Sequence, residues 1–197
     1  EGFSSNVQDM FGKEKGFDFY PQIDKMDKNI AKLLMAAILD NTLNFKAKIT
    51  TQRDINAYEK LLSIVDNDFE FAQRYFLECD KKIKDDLKTT TISATKIEKI
   101  SDKLPTNFSQ LVVWEKEWLI NRKEEIYEAL DKLDEDWILN IICLKDGKSY
   151  IMSRNISAKN KVEKLLKKNG ISYVTISGNY QERYEKSKKM ILDLVGV

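Results

Sequence analysis

The stretch WILNIICLKDGKSYIM, residues 137–152, decides the fold class. Trp137 to Leu144 is a near-continuous apolar run, the pattern of a strand buried on both faces. Asp146-Gly147 is a two-residue hairpin signal, and Ser149 to Met152 is the returning strand. Outward from this hairpin the chain alternates between the two periods. Phe108 to Trp114 reads as a second strand, followed by a charged amphipathic helix from Glu115 to about Leu133. Downstream, Asn155 or Ser157 caps a helix through Val162, Leu165 and Leu166 that Asn169-Gly170 stops. Ile171 to Ile176 reads as a strand, and Gln181 to Leu194 as a last helix carrying Tyr184, Ile191 and Leu194. A hairpin among crossover helices predicts an α/β fold with a mixed sheet.

Upstream the reading is helical. An apolar pattern of Ile30, Leu33, Leu34, Ala37 and Ile38 follows Pro21 and Asp24 and runs to Leu39, and residues 40–49 break the period. Thr51 with Asp54 three residues on is a helix start, and Ile55, Tyr58, Leu61, Leu62 and Val65 stripe the next helix. A third helix, Asp68 to about Lys84, carries Phe69, Ala72, Tyr75, Phe76, Cys79 and Ile83 on one face and links two lobes. The chain is thus divided at 1–66, 67–86 and 87–197.

Composition narrows the function. Thirty-three basic and 32 acidic residues leave a net charge of +1, which argues against a nucleic-acid binder. The longest apolar run, Leu33 to Leu39, falls far short of the roughly 20 residues of a membrane span. Two distant cysteines, Cys79 and Cys143, form no disulfide framework and fit a reducing cytoplasm, with Cys79 a packed thiol. No histidine occurs, so a Ser-His or Cys-His dyad and imidazole zinc ligands are excluded. The opening Glu1-Gly2-Phe3-Ser4-Ser5, without initiator Met or leader pattern, reads as a cut chain.

Glycine-rich phosphate loops are absent, which leaves carboxylates and lysines as the candidate chemistry. Asp40, Asn41 and Thr42 stand where an apolar helix stops. A carboxylate there could ligate a hard cation such as Mg or Mn, but spacing alone favours Asp40 or Asn41 as a helix end bonded to local backbone groups. Arg183, Lys186, Lys188 and Lys189 cluster near the expected last helix, a set suited to phosphate oxygens or to a solvated face. Trp114, Trp118 and Trp137 read as core or lobe-contact residues, and Lys159, Lys161, Lys164, Lys167 and Lys168 as a wet helix face.

The segment AAILDNTLNFKAKITTQRD, residues 36–54, resembles the DHH phosphoesterases of the manganese-dependent (family II) inorganic pyrophosphatase and exopolyphosphatase type. The triplet Asp40-Asn41-Thr42 stands in for their Ser-Asp-Thr, and Phe45 to Thr50 for their Phe-Lys-Ser-Pro-Thr-like loop. Asp86-Leu87-Lys88 resembles the Asp-x-Lys that opens the family's second domain. Phe108 to Trp114 resembles its Gly-x-x-Gln-Val-Glu strand, and Ser187-Lys188-Lys189-Met190 its Ser-Arg-Lys-Lys-Gln substrate motif.

The resemblance implies a helical remnant of a DHH lobe (1–66), a linker helix (67–86) and a small mixed-sheet α/β substrate-binding domain (87–197). The DHH motif itself is not in this sequence. It further implies the C-terminal portion of a cytoplasmic metal-dependent phosphoanhydride or phosphoester hydrolase, inactive alone. Asp40 or Asn41 would take the place of the family's metal-bridging aspartate, and Lys88, Arg183, Lys188 and Lys189 would bind substrate. Manganese or magnesium is the implied cofactor of the complete enzyme, with no tight binding to this chain by itself. The implied partners are a phosphate-containing small molecule and an N-terminal DHH lobe, with no nucleic acid and no membrane, and a homodimer left open. Asn41 and Ser187, where the family has a carboxylate and an arginine, favour the alternative of a non-catalytic anion- or protein-binding module.

Overall fold

A computed structural model of the chain describes residues 26–97, 99 and 102–174. Helix α1 (Lys28–Thr42) starts at Asp27, whose carboxylate accepts from the backbone N–H groups of Asn29 and Ile30. It ends at Leu43, the first of three successive residues with positive φ (Leu43, Asn44 and Phe45) that reverse the chain. Helix α2 (Gln52–Ile64) opens with the expected capping box between Thr51 and Asp54. The two pack through Ala31, Leu34, Met35 and Ile38 against Ala57, Leu61, Leu62 and Val65. Two members of the expected α1 stripe fall outside this core: Ile30 is 51% exposed and Leu33 70%. Ala31 and Met35 take their place, because the contact with α2 selects one side of a helix that is apolar over more than half its circumference.

Helix α3 (Phe71–Asp85) buries Phe76 and Asp80. Phe69, expected on its apolar face, precedes the helix and is exposed. Cys79 is half-buried, and burial pushes its thiol pKa up, as a packed thiol requires. Leu39 of α1, Phe76 of α3 and Leu144, just past the Trp137–Cys143 strand, form a separate buried cluster between the helical and sheet cores. Alongside it, Lys46 Nζ donates to the Leu144 carbonyl across 98 residues of sequence.

The rest is a mixed α/β layer. Helix α4 (Leu87–Ser93) leads into β1 (Thr95–Ile97), then β2 (Asn107–Val113), α5 (Glu117–Asn121), α6 (Lys123–Asp131), β3 (Trp137–Cys143), β4 (Lys148–Met152) and α7 (Ile156–Lys168). The sheet order is β1-β2-β3-β4; β2 and β3 are parallel, from Asn107↔Trp137 to Val113↔Cys143, and the outer pairs are antiparallel. Trp137, Leu139 and Ile141 face α4, α5 and α6 through Leu87, Leu119, Ile126 and Leu130. On the other face Ile138 meets Ala158 and Val162 of α7, and Ile142 packs against the Phe76 cluster. Burial on both faces thus accounts for the unbroken apolar run of β3.

Four local expectations change. Helix α4 and strand β1 were not anticipated, because Thr89-Thr90-Thr91 carries weak helix propensity. The helix expected over 115–133 is two, separated at Arg122, whose guanidinium bonds Glu125 and the Lys84 carbonyl. The hairpin marked by Asp146-Gly147 forms, but its loop is four residues, Leu144 to Gly147, instead of two, with Cys143 paired to Lys148 and Gly147 at φ +64, a conformation glycine adopts without strain. The strand expected at Ile171–Ile176 does not form over 171–174. There the Ile171 N–H closes the end of α7 on the Leu166 carbonyl at 3.0 Å, leaving Ile171 and Val174 more than half exposed. Residues 175 and 176 and the helix expected over 181–194 lie outside the described residues. Among those described, no helix is long and apolar enough to cross a membrane.

At the hairpin Lys116 Nζ bonds Asp146 and Glu117, and Tyr150 donates to Asp146 at 2.7 Å. Burial disfavours the Lys116 charge, but these acceptors outweigh it and raise its pKa. Hydrogen bonds from Lys116 and then Tyr150 hold the Asp146 carboxyl down at about 2, against 3.8 unperturbed. A depressed carboxyl stabilises the fold fully above its unfolded value, and that contribution fades as pH falls toward 2. D146N is therefore expected to lower the unfolding free energy by about 1 kcal/mol at pH 7, discounted for partial exposure. In urea titrations the deficit should shrink between pH 4 and pH 2. A pH-independent deficit would assign the effect to the turn instead of the ion pair.

Candidate functional site

Asp40 lies on the last turn of α1, where the helix projects polar side chains past its apolar face. Its carboxylate accepts the Tyr75 hydroxyl at 2.6 Å, a contact between helices 35 residues apart in sequence. Leu33, Ala36, Ala37, Asp40, Asn41 and Tyr75 enclose a shallow cavity of about 410 Å³. Burial, then the Asp40 hydrogen bond, push the Tyr75 phenol far above its ordinary range, so it remains a donor at any physiological pH. Thr42 does not share the site. It is buried, with its hydroxyl donating to the Ile38 carbonyl and accepting the Phe45 N–H, which fixes the end of α1.

Lys88 occupies the first turn of α4 and reaches α6, where Nζ bonds Glu128 Oε2 at 2.7 Å. The Glu128 hydrogen bond raises its pKa. Both side chains are about half exposed, so the pair is weak and open to competition by a phosphate dianion. Asp40 and Lys88 thus have separate partners, Tyr75 and Glu128. The other three expected substrate residues, Arg183, Lys188 and Lys189, lie outside the described residues, as do Lys186 and Ser187.

The donor set near Asp40 does not by itself fit a manganese or magnesium centre. It comprises one carboxylate, the Asn41 amide and a protonated phenol, where a hard divalent cation requires several anionic or carbonyl oxygens. Among the described residues no group of three or more His, Cys, Asp or Glu side chains is placed to hold an ion.

Sequence reasoning missed three features. Asp80 is buried in α3 and accepts the N–H groups of Trp114 and Glu115 and the Trp118 indole. No local pattern reports it, since its partners stand 34 to 38 residues away. Lys46, inside the Phe45–Thr50 loop, is the residue that ties that loop to the sheet. Finally, three lysines of the wet face of α7 line a groove of about 890 Å³. Its apolar wall comes from Leu104, Ile156 and Leu165, and no local pattern in the sequence sets these three apart from core residues.

No family model matches the chain, and no curated protein matches it. Among solved structures it is similar to a Methanococcus jannaschii protein named as a family II inorganic pyrophosphatase. The identity is 18% over 77% of this chain and 52% of that one, at a TM-score of 0.48. This chain therefore spans about half the length of that structure. A likeness of this degree assigns neither family nor activity.

Proposed function

We propose that the chain is the C-terminal, substrate-closing portion of a metal-dependent phosphoanhydride or phosphoester hydrolase of the inorganic pyrophosphatase or exopolyphosphatase kind. One observation carries the reading. The motif segment 36–54 folds as a unit, with Asp40 on the last turn of α1, which ends at Thr42, a left-handed reversal through Leu43 to Phe45, and the capped start of α2. Within it the Asp40 carboxylate is oriented by Tyr75 at the mouth of an open cavity.

In this reading Asp40 supplies one anionic oxygen to the metal site of the complete protein, and the remaining ligands come from outside the described residues. Lys88, with Arg183, Lys188 and Lys189, holds phosphate oxygens by charge-assisted hydrogen bonds. Lys88 is released to do so when phosphate displaces Glu128. The chain alone is inactive.

The test uses the product of the complete gene, assayed for phosphate release from pyrophosphate, tripolyphosphate and nucleotides with manganese or magnesium. Release is expected. D40N should then lower kcat/KM by about 10–100-fold, and K88M should raise KM by about tenfold with a smaller change in kcat. A complete protein inert toward all of these substrates rejects the proposal. That result would leave the second reading, a non-catalytic anion- or protein-binding module. The lone carboxylate in the cavity and the pairing of Lys88 with Glu128 already favour it over an isolated catalytic domain.

A further inference from the structure

The groove along α7 is separate from the Asp40 cavity and from Lys88. One side of α7 is occupied by the sheet, through Ala158, Val162 and Leu166 against Ile138 and Phe108. The flank next to it faces residues 102–104, and the two walls leave the cavity of about 890 Å³. Its lining runs from Ile156 to Lys168, about 18 Å at the helical rise.

Two chemistries alternate along this length. Ile156 is 71% exposed and Leu165 42%, and Leu104 adds an apolar patch on the opposite wall. Among the described residues Lys103, Lys161, Lys164 and Lys168 line the same groove against a single carboxylate, Asp102, in a chain whose net charge is only +1. Asp102 is engaged by Lys99 at 3.0 Å, and Lys161 by Asp136 at 2.7 Å. Lys164 and Lys168 have no ion-pair partner among the described residues.

We propose that this groove is a docking site for an extended acidic peptide segment of a partner protein, one whose carboxylates alternate with aliphatic side chains. The charge selects anions, and the exposed Ile156 and Leu165 supply an apolar contact that a simple anion would not use. Among the described residues no aromatic ring, the platform on which single-stranded nucleic acid stacks, lines the groove. It is also recessed between two walls, whereas helices that lie on membranes present a convex apolar face. An extended chain advances about 3.3 Å per residue, so the groove accommodates about six residues, and each wall offers it both cations and apolar side chains: Lys164, Lys168, Ile156 and Leu165 on α7, Lys103 and Leu104 opposite.

The probe is a fluorescein-labelled peptide of about six alternating glutamate and leucine residues, titrated against the full chain by fluorescence anisotropy at low salt. A lysine–leucine peptide of the same length is the control. The glutamate–leucine peptide should bind at least about tenfold tighter, and the K164E/K168E variant should weaken it by about tenfold. L165N should weaken it by about threefold or more with the salt dependence unchanged. Far-UV circular dichroism and urea midpoints establish that the variants are folded, and K164A/K168A replaces the reversal if that variant is not.

Equal affinity for the two peptides overturns the proposal, as does binding indifferent to the lysine changes. Tighter binding of oligothymidylate, or of phosphatidylserine vesicles, in a manner lost in K164E/K168E would also overturn it and assign the groove to nucleic acid or membrane. None of these outcomes depends on phosphate release, so this proposal and the hydrolase reading fail independently.

Discussion

Asp80→Ala is expected to lower the unfolding free energy by about 3–5 kcal/mol, a large share of what holds a domain folded. Asp80 is 1% exposed, and its two oxygens receive three N–H groups, from the Trp114 backbone at 2.9 Å, the Glu115 backbone at 3.2 Å and Trp118 Nε1 at 3.1 Å. Alanine leaves these donors facing a void, with each stranded donor costing about 1–3 kcal/mol before relaxation. The carboxylate also fixes the chain where β2 gives way to α5, so its loss frees the segment carrying Lys116 and Trp118. Asp80→Asn keeps one acceptor oxygen but turns an amide N–H₂ toward other donors, and should cost about half as much. Urea unfolding at pH 7 measures both. A loss below about 1 kcal/mol for Asp80→Ala would show that water replaces the carboxylate and that the site is wetter than its burial implies.

Phe76→Ala, one turn earlier on the same face of α3, should cost about 3–4 kcal/mol. Phe76 is 2% exposed, stacks on Trp114 with centroids 6.3 Å apart, and meets Tyr75 edge-on at 5.1 Å. Leu39 and Leu144, both buried, close the cluster. The cavity left by the ring lies between the helical core and the sheet core, so the loss falls on the contact that couples them. Unfolding followed by far-UV circular dichroism and by tryptophan fluorescence should therefore cease to coincide, since all three tryptophans stand in the sheet half. Coincident transitions in Phe76→Ala would mean that Lys46 and α3 couple the two cores without the ring.

The parts of this architecture legible in the sequence are those with local causes. Thr51 and Asp54 announce α2 because a capping box is closed within four residues. Asp146-Gly147 announces the β3–β4 hairpin because Gly147 takes the positive φ that closes it, although the loop is four residues long instead of two. The run from Trp137 reads as a two-sided buried strand from its composition alone. What escaped was decided by partners distant in sequence. Asp80 occupies a buried position that a hydrophobic pattern assigns to its neighbour Cys79, and only the N–H groups of a remote turn explain it. Ile30 and Leu33 belong to an apolar helix surface from which α2 selects one side. At the candidate site, the sequence singled out Asp40 but could not supply Tyr75, which reaches it from another helix. From sequence Lys88 is a lysine available for phosphate, and its pairing with Glu128 follows from the packing of α4 on α6.

The ties between the helices and the sheet have one more property in common. Lys46 bonds the carbonyl of Leu144, Asp80 bonds the backbone N–H groups of Trp114 and Glu115, and Arg122 bonds the carbonyl of Lys84. In each case one member contributes a specific side chain and the other only its main chain. Substitution at the main-chain member leaves the bond intact, so these contacts generate no correlated pair of substitutions between lineages. At these bonds the main-chain member can therefore change its side chain while Lys46, Asp80 or Arg122 retains the geometry, a freedom that the ring contact of Phe76 with Trp114 and the bond of the Trp118 indole to Asp80 do not share. Inference of contacts from paired substitutions would be blind to the longest-range of these ties.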